Sequence, residues 1–189
     1  SERNQRYGIL SLAAYLKERS HILDHFFIEN LEDTRALSEK ITAFKPDYLA
    51  ISAMSGEVMF YLSVLENIKS IHPNLYVLMG GPHTTFDSTI VENRLIDAIC
   101  VGEGEEAFAE FLVTHPNGDY LGVRNFCFQK EDGSIIKNPI RPLIDIDTLP
   151  IPDYEFIPRG MSLAGERIAT FASRNCVYRC TYCFNRDYA

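Results

Sequence analysis

The stretch "LYVLMGGPHTTF", residues 75–86, changes character halfway. Its first half is short and continuously apolar, as in a strand buried on both faces. Its second half opens on two glycines and a proline, as in a loop. Two other segments share the form. "YLAIS" (48–52) runs into "SAMSGE" (52–57), and "DAICVG" (97–102) runs into "VGEGEEA" (101–107). Helical stripes lie between them. Leu37, Ile41 and Phe44 form one, and Val58, Tyr61, Leu62, Leu65 and Ile68 form another that ends before Pro73. Buried apolar strands alternating with helices predict an α/β domain, a doubly wound parallel sheet covered on both faces.

Working outward, Ile9, Leu12, Ala13 and Leu16 fall at helical spacing, and "HILDHFFIE" (21–29) has the pattern of a strand. Asp33 or Thr34 is expected to cap the next helix, with Pro46 as its stop. A sheet of this kind normally begins with a strand, so a first strand is expected upstream of the opening helix in the full gene. Residues 1–120 form the α/β domain on this reading. Residues 121–140, "VRNFCFQKEDGSIIKNPI" in the main, alternate around Asp132-Gly133 and predict a β-hairpin extension. Residues 141–165 are a stiff linker, since "RPLIDIDTLPIPDYEFIP" holds four prolines in eighteen residues. Residues 166–189 open with one new strand, "RIATFAS" (167–173), and continue into a cysteine loop.

Composition excludes several classes of function. Hydrophobic residues make up 46% and charged residues 23% of 189, enough apolar side chains for a real core. The net charge is −8 with no basic stripe, which argues against nucleic acid as a partner. No apolar run approaches the ~20 residues of a membrane span. Five cysteines, an odd and clustered set, point away from a secreted disulfide framework and toward a reducing cytoplasm.

Three of those cysteines, Cys176, Cys180 and Cys183, share the stretch "RNCVYRCTYCFN" (174–185). Thiolates so spaced can converge on one metal centre, and soft ligands favour zinc, copper(I) or iron–sulfur clusters. A closed zinc site needs a fourth ligand, and none lies nearby. A four-iron cluster held by three cysteines keeps one iron open to a cofactor or substrate. Three buried reduced thiols are the bland alternative. "CVYRCTYC" resembles the C-x3-C-x-aromatic-C signature of the radical S-adenosylmethionine enzymes, with Tyr182 at the aromatic position. That resemblance implies a 4Fe–4S cluster on Cys176, Cys180 and Cys183, S-adenosylmethionine chelated at the open iron, and Tyr182 beside its adenine. Asn175 and Val177 depart from the family's usual glycine and proline, changes that affect loop stiffness more than ligation.

The three loops after the apolar strands sit where an open parallel sheet binds ligands, at the strands' carboxyl ends. "GEGEEA" (102–107) matches a dinucleotide fingerprint, but no parallel strand follows it and Glu103, Glu105 and Glu106 would repel a pyrophosphate. A phospho-receiver is excluded as well, since Ser52, Ala53 and Met54 stand where its aspartate would be. Taken in order, "GGPH" (Gly80–His83), "VGEGE" (Val101–Glu105) and Asp145–Tyr154 resemble the flavodoxin-like, Rossmann-like cobalamin-binding domain that precedes many radical S-adenosylmethionine barrels. The resemblance spans nearly the whole chain. It implies corrinoid contacts from Ser52, Met54, Ser55 and Gly56 in the first loop. The second loop would contribute Gly80, Gly81, Pro82 and His83, and the third Gly102, Glu103 and Gly104. The D-x-H-x-x-G motif of histidine-on cobalamin proteins is missing, because Asp24 and His25 are adjacent. His83 is then either an axial ligand or a loop histidine on the backbone or the corrin rim. Cys100 and Cys127 read as core residues.

By resemblance the full protein is an enzyme that combines a cluster, S-adenosylmethionine and cobalamin. It would start methyl transfer or cyclisation on an unactivated carbon, as do the methyltransferases and anaerobic magnesium-protoporphyrin monomethyl ester cyclases of this family. Its partners would be a small-molecule substrate and an external electron donor such as flavodoxin or ferredoxin. The chain by itself is expected to be inactive. The competing reading is a non-catalytic corrinoid-binding or sensory module whose cysteine loop holds structural zinc.

Overall fold

The computed structural model describes residues 7–130, 132–156, 173, 174, 176, 178 and 180–183. The expected strand at 167–173 therefore lies outside the described residues, except for Ser173. The chain divides into a unit of residues 26–141 and a second unit made of 1–25 with 142–189.

In the larger unit the order is α2 (Asp33–Phe44), β1 (Tyr48–Ser52), α3 (Val58–Ile71), β2 (Tyr76–Gly80), α4 (Pro82–Phe86), β3 (Ala98–Cys100), α5 (Glu105–Thr114), β4 (Phe126–Gln129) and β5 (Ile135–Lys137). These five strands form one sheet in the order β1-β2-β3-β4-β5. β1, β2 and β3 run parallel, with Ser52 opposite Gly80 and Met79 opposite Ile99. β4 is antiparallel to β3 and β5 to β4. The hairpin is thus no appendage but the far side of the same sheet. Its turn is closed by the Lys130 N–H donating to the Ser134 carbonyl at 2.9 Å, a longer connection than a two-residue Asp-Gly turn. Gly133 takes φ +81° there, and Asp132 accepts from the Ser134 N–H at 2.8 Å and from its hydroxyl.

Strand alternation sorts the core onto two faces. Val77, Met79, Ile99 and Cys127 join Val58 and Leu65 of α3 on one side. A second cluster, Leu37 and Ile41 of α2 with Val64 and Ile68 of α3, lies beside it. The opposite face carries Tyr76, Phe126 and Phe128, which meet Phe108 and Phe111 of α5. Phe111 stacks on Phe126 with centroids 4.9 Å apart, and His115 accepts or shares a proton with the Tyr48 hydroxyl at 3.0 Å. Helices therefore cover both faces, the arrangement that continuously apolar strands require. Asp97, just before β3, ties the amino ends together. Its carboxylate accepts from the Val77 N–H at 2.6 Å and from Lys69 Nζ at 2.8 Å.

Two local expectations fail. Residues 21–29 form no strand; they are irregular. Asp24 bends the run by accepting from the His25 N–H at 2.8 Å. Phe26 and Ile28 still pack on the Leu37–Ile41 cluster, so burial imitates the period of a strand without any ladder. Nor does Asp33 or Thr34 cap α2. Asp33 is its first residue and turns its carboxylate back to the N–H groups of Glu29 and Asn30, while Asn30 Oδ1 accepts from Glu32 and Asp33. The helix stops as expected before Pro46, with Lys45 at φ +54°.

The smaller unit contains α1 (Tyr7–Lys17), which buries Leu10, Ala13, Ala14 and Leu16. The Asp153 N–H donates to the Leu10 carbonyl at 3.1 Å, and Lys17 Nζ to the Asp153 carboxylate at 2.5 Å. Among the described residues no helix is long and apolar enough to cross a membrane.

Candidate functional site at the carboxyl edge of the sheet

Because β1, β2 and β3 are parallel neighbours, the loops that follow them leave the same edge. The first two loops are stitched by backbone. The Ala53 N–H donates to the Gly80 carbonyl at 2.9 Å, and the Ala53 carbonyl accepts from the His83 N–H at 3.0 Å. Glu57 folds back so that its carboxylate accepts from the Met54 N–H at 3.0 Å. Met54, Ser55 and Gly56 are left exposed at the rim, and a side chain at Gly56 would meet nothing within 4 Å.

Gly81 is the tightest point. It takes φ +97° and ψ −171°, a conformation essentially reserved for glycine. A Cβ there would stand 2.8 Å from Ser52 Oγ and 3.0 Å from the backbone N and O of Ala53. Pro82 then opens α4, where its missing N–H is no loss. His83 Nδ1 lies 3.2 Å from Ser55 Oγ, so the histidine joins the first two loops.

The third loop is tied in by threonines. Thr85 Oγ1 donates to the Gly81 carbonyl at 3.1 Å and accepts from the Gly102 N–H at 3.0 Å. Fully buried Thr84 donates to the Cys100 carbonyl at 2.7 Å. Gly102 turns at φ +78°, Gly104 precedes α5, and Glu105 is buried in the first helical turn. Every residue expected to contact a corrinoid thus lies on this edge, drawn from three adjoining loops. The sequence reading missed Ala53, Thr84, Thr85 and Asn125, which hold those loops in place. The paired threonines directly after "GGPH" were the available signal for two of them.

Charge here is mostly negative, from Glu57, Glu103, Glu105 and Glu106; the Arg141 guanidinium approaches Glu106 at 3.8 Å and also pairs with Glu110. Such an edge suits a neutral or cationic ligand. Met54 and Phe86 are half-exposed apolar side chains on the loops after β1 and β2.

The cysteines divide into two groups. Cys100 faces α5 beneath Gly104. Part of its surface stays accessible, yet dense packing, with Glu105 second, pushes its thiol up to about 12. Burial raises Cys127 likewise. Cys176 is exposed, and Cys180 and Cys183 are half-buried, joined by a bond from the Cys183 N–H to the Cys180 carbonyl at 3.1 Å. Tyr182 is 90% exposed. Among the described residues no three Cys, His, Asp or Glu side chains converge on a point that could hold a metal ion. Alkylation is expected to follow this division, because the thiolate is the reacting species. With iodoacetamide at about pH 8, Cys176 is modified first, whereas Cys100 and Cys127 react only on unfolding. Peptide mapping that found Cys100 labelled as fast as Cys176 would contradict this assignment.

Comparison with known proteins places the chain. The family model described as "B12 binding domain" matches residues 4–112. An uncharacterized methyltransferase of Pyrococcus horikoshii is 32% identical over 185 residues, covering 93% of this chain and 39% of that protein. The anaerobic magnesium-protoporphyrin IX monomethyl ester cyclase of Rubrivivax gelatinosus is 30% identical over 199 residues, covering 94% of this chain and 35% of its own. The chain therefore spans little more than a third of these curated relatives. Among solved structures, the cobalamin-dependent S-adenosylmethionine radical enzyme OxsB with aqua-cobalamin and S-adenosylmethionine bound superposes with a TM-score of 0.65 at 16% identity. That match covers 79% of this chain and 21% of OxsB, and it supports the Rossmann-like fold. The chain belongs to the B12-binding domain family.

Proposed function

We propose that this chain binds a corrinoid at the carboxyl edge of β1, β2 and β3, as part of a cobalamin-dependent radical S-adenosylmethionine enzyme. The observation that carries this reading is the joining of three ligand-side loops into one surface through Ala53, His83 and Thr85, within a B12-binding domain. Met54, Ser55 and Gly56 would meet the macrocycle from the first loop, Gly81 to His83 from the second, and Gly102 to Gly104 from the third. Glycines there let the corrin approach the backbone, and the loop carbonyls and hydroxyls pair with its amides.

Cys176, Cys180 and Cys183 would hold a 4Fe–4S cluster and Tyr182 would flank S-adenosylmethionine. When bound, these groups and the corrinoid supply radical initiation and methyl transfer or cyclisation, while the protein supplies position and exclusion of water. A small-molecule substrate, an external electron donor such as flavodoxin or ferredoxin, and a cytoplasmic setting complete the reading.

Titrating the purified chain with hydroxocobalamin tests it. Saturable, stoichiometric change in the corrinoid absorption bands is expected, together with a broad iron–sulfur band when the full-length protein is reconstituted anaerobically with iron and sulfide. Stoichiometric zinc without a cluster would favour a non-catalytic module, and no saturable corrinoid change would overturn the proposal.

A further inference from the structure

We infer that Asn125 is a positioning residue for the third loop of the corrinoid site, so that the β4–β5 hairpin governs ligand affinity. This deepens the proposed function and rests on it. Asn125 lies just before β4, is 2% exposed and takes φ +71°, a left-handed conformation that asparagine tolerates better than most residues. Its backbone continues the sheet: the Asn125 carbonyl accepts from the Val101 N–H at 2.8 Å, and its N–H donates to the Pro139 carbonyl at 3.0 Å. Beyond Val101 the loop turns away at Gly102, and the ladder ends. The side chain takes over there. Asn125 Nδ2 donates to the Val101 carbonyl at 2.8 Å and to the Glu103 carbonyl at 3.4 Å, while Oδ1 accepts from the Arg141 N–H at 2.9 Å.

One buried amide therefore satisfies three backbone groups from two separate segments. Only a side chain with both donors and an acceptor at this length can do so. Gly102 closes over it, since a Cβ there would stand 3.3 Å from Asn125 Nδ2. The carbonyls of Val101 and Glu103 bracket Gly102, whose N–H is held from the other side by Thr85. The loop is thus clamped between the second loop and the hairpin, and removing Asn125 releases one jaw.

Two variants separate the contributions. Asn125→Gly keeps the left-handed backbone and deletes the amide, whereas Asn125→Asp keeps the acceptor but sets a carboxylate oxygen against two carbonyls. Asn138→Ala is the matched control. Asn138 Nδ2 donates to the Leu121 and Val123 carbonyls, in the same hairpin but not to the loop. The expected result is that both Asn125 variants speed hydrogen exchange of the Val101–Gly104 amides roughly tenfold or more. They should also weaken hydroxocobalamin binding by about tenfold, while Asn138→Ala leaves affinity within about twofold. Either Asn125 variant suffices if the other does not fold. Unchanged exchange at 101–104 overturns the clamp whatever the corrinoid does. Faster exchange with unaltered affinity, or an equal loss in Asn138→Ala, reduces Asn125 to general stability and also overturns it. If the unaltered chain shows no saturable binding, the corrinoid reading itself falls and takes this inference with it.

Discussion

Gly81→Ala is expected to remove roughly 2–4 kcal/mol of stability and most of the corrinoid affinity, although it adds a single methyl group. The first part of the loss is conformational. At φ +97° and ψ −171° an L-residue stands in a region that costs about 1–3 kcal/mol to hold. The second part is steric. The new Cβ would lie 3.0 Å from both the N and the O of Ala53, and backbone cannot rotate aside as a flexible side chain can. Relief requires the first and second loops to separate. That motion stretches the two bonds joining Ala53 to Gly80 and His83, and it carries Ser55 away from His83. Gly122→Ala offers the contrast, since nothing lies within 4 Å of its Cβ position and it stands outside the three loops. Urea unfolding and hydroxocobalamin titration of both variants check the expectation. A Gly81→Ala protein as stable and as tightly binding as Gly122→Ala would refute it.

Legibility from sequence followed the physics of each element. The strands at 48–52, 76–80 and 98–100 were readable because burial on both faces leaves continuous apolar runs, and glycine marks where the second and third meet their loops. α1, α2 and α3 were readable from their apolar stripes, whereas α5 was not. The segment 21–29 was misread because its alternation reflects Phe26 and Ile28 docking on α2 and α3, and pattern alone cannot distinguish docking from pairing. The hairpin was recognised, but its place as strands four and five of the main sheet depends on Cys127 and its neighbours pairing with β3, a contact distant in sequence.

Within the candidate site the visible signal was glycine and histidine, whereas much of the geometry is held by Thr84, Thr85 and Asn125. Threonine and asparagine are common in loops for many reasons, and their role here exists only through partners 16 to 24 residues away. Sequence therefore pointed to the loops at the carboxyl edge of the parallel strands and missed the supports beneath them. The cysteine signature stood out at once because its spacing is local. The ligand role proposed for it depends on a cluster rather than on contacts that the protein makes with itself.

The largest stability loss is expected at the opposite end of the sheet. Phe111→Ala should cost about 3–5 kcal/mol, a large share of the ~5–15 kcal/mol typical of a folded domain. Phe111 is fully buried. Its ring stacks on Phe126 at 4.9 Å and on Phe128 at 6.2 Å, and meets Tyr48 edge-on at 5.6 Å and His115 at 4.8 Å. Truncation would leave a void among aromatic rings that α5 cannot close without tilting. Its first turn carries Glu105 and adjoins Gly104, so a tilt also moves the third loop. Both losses should therefore appear together: a urea midpoint far below that of the parent chain, and weaker hydroxocobalamin binding under conditions where the variant remains folded. Phe111→Leu, which retains most of the apolar volume, should fall between the parent and Phe111→Ala on both measures. If Phe111→Ala lost less than about 1 kcal/mol, the cavity cost expected for a fully enclosed ring would be missing, and Phe111 would not be the keystone of this face.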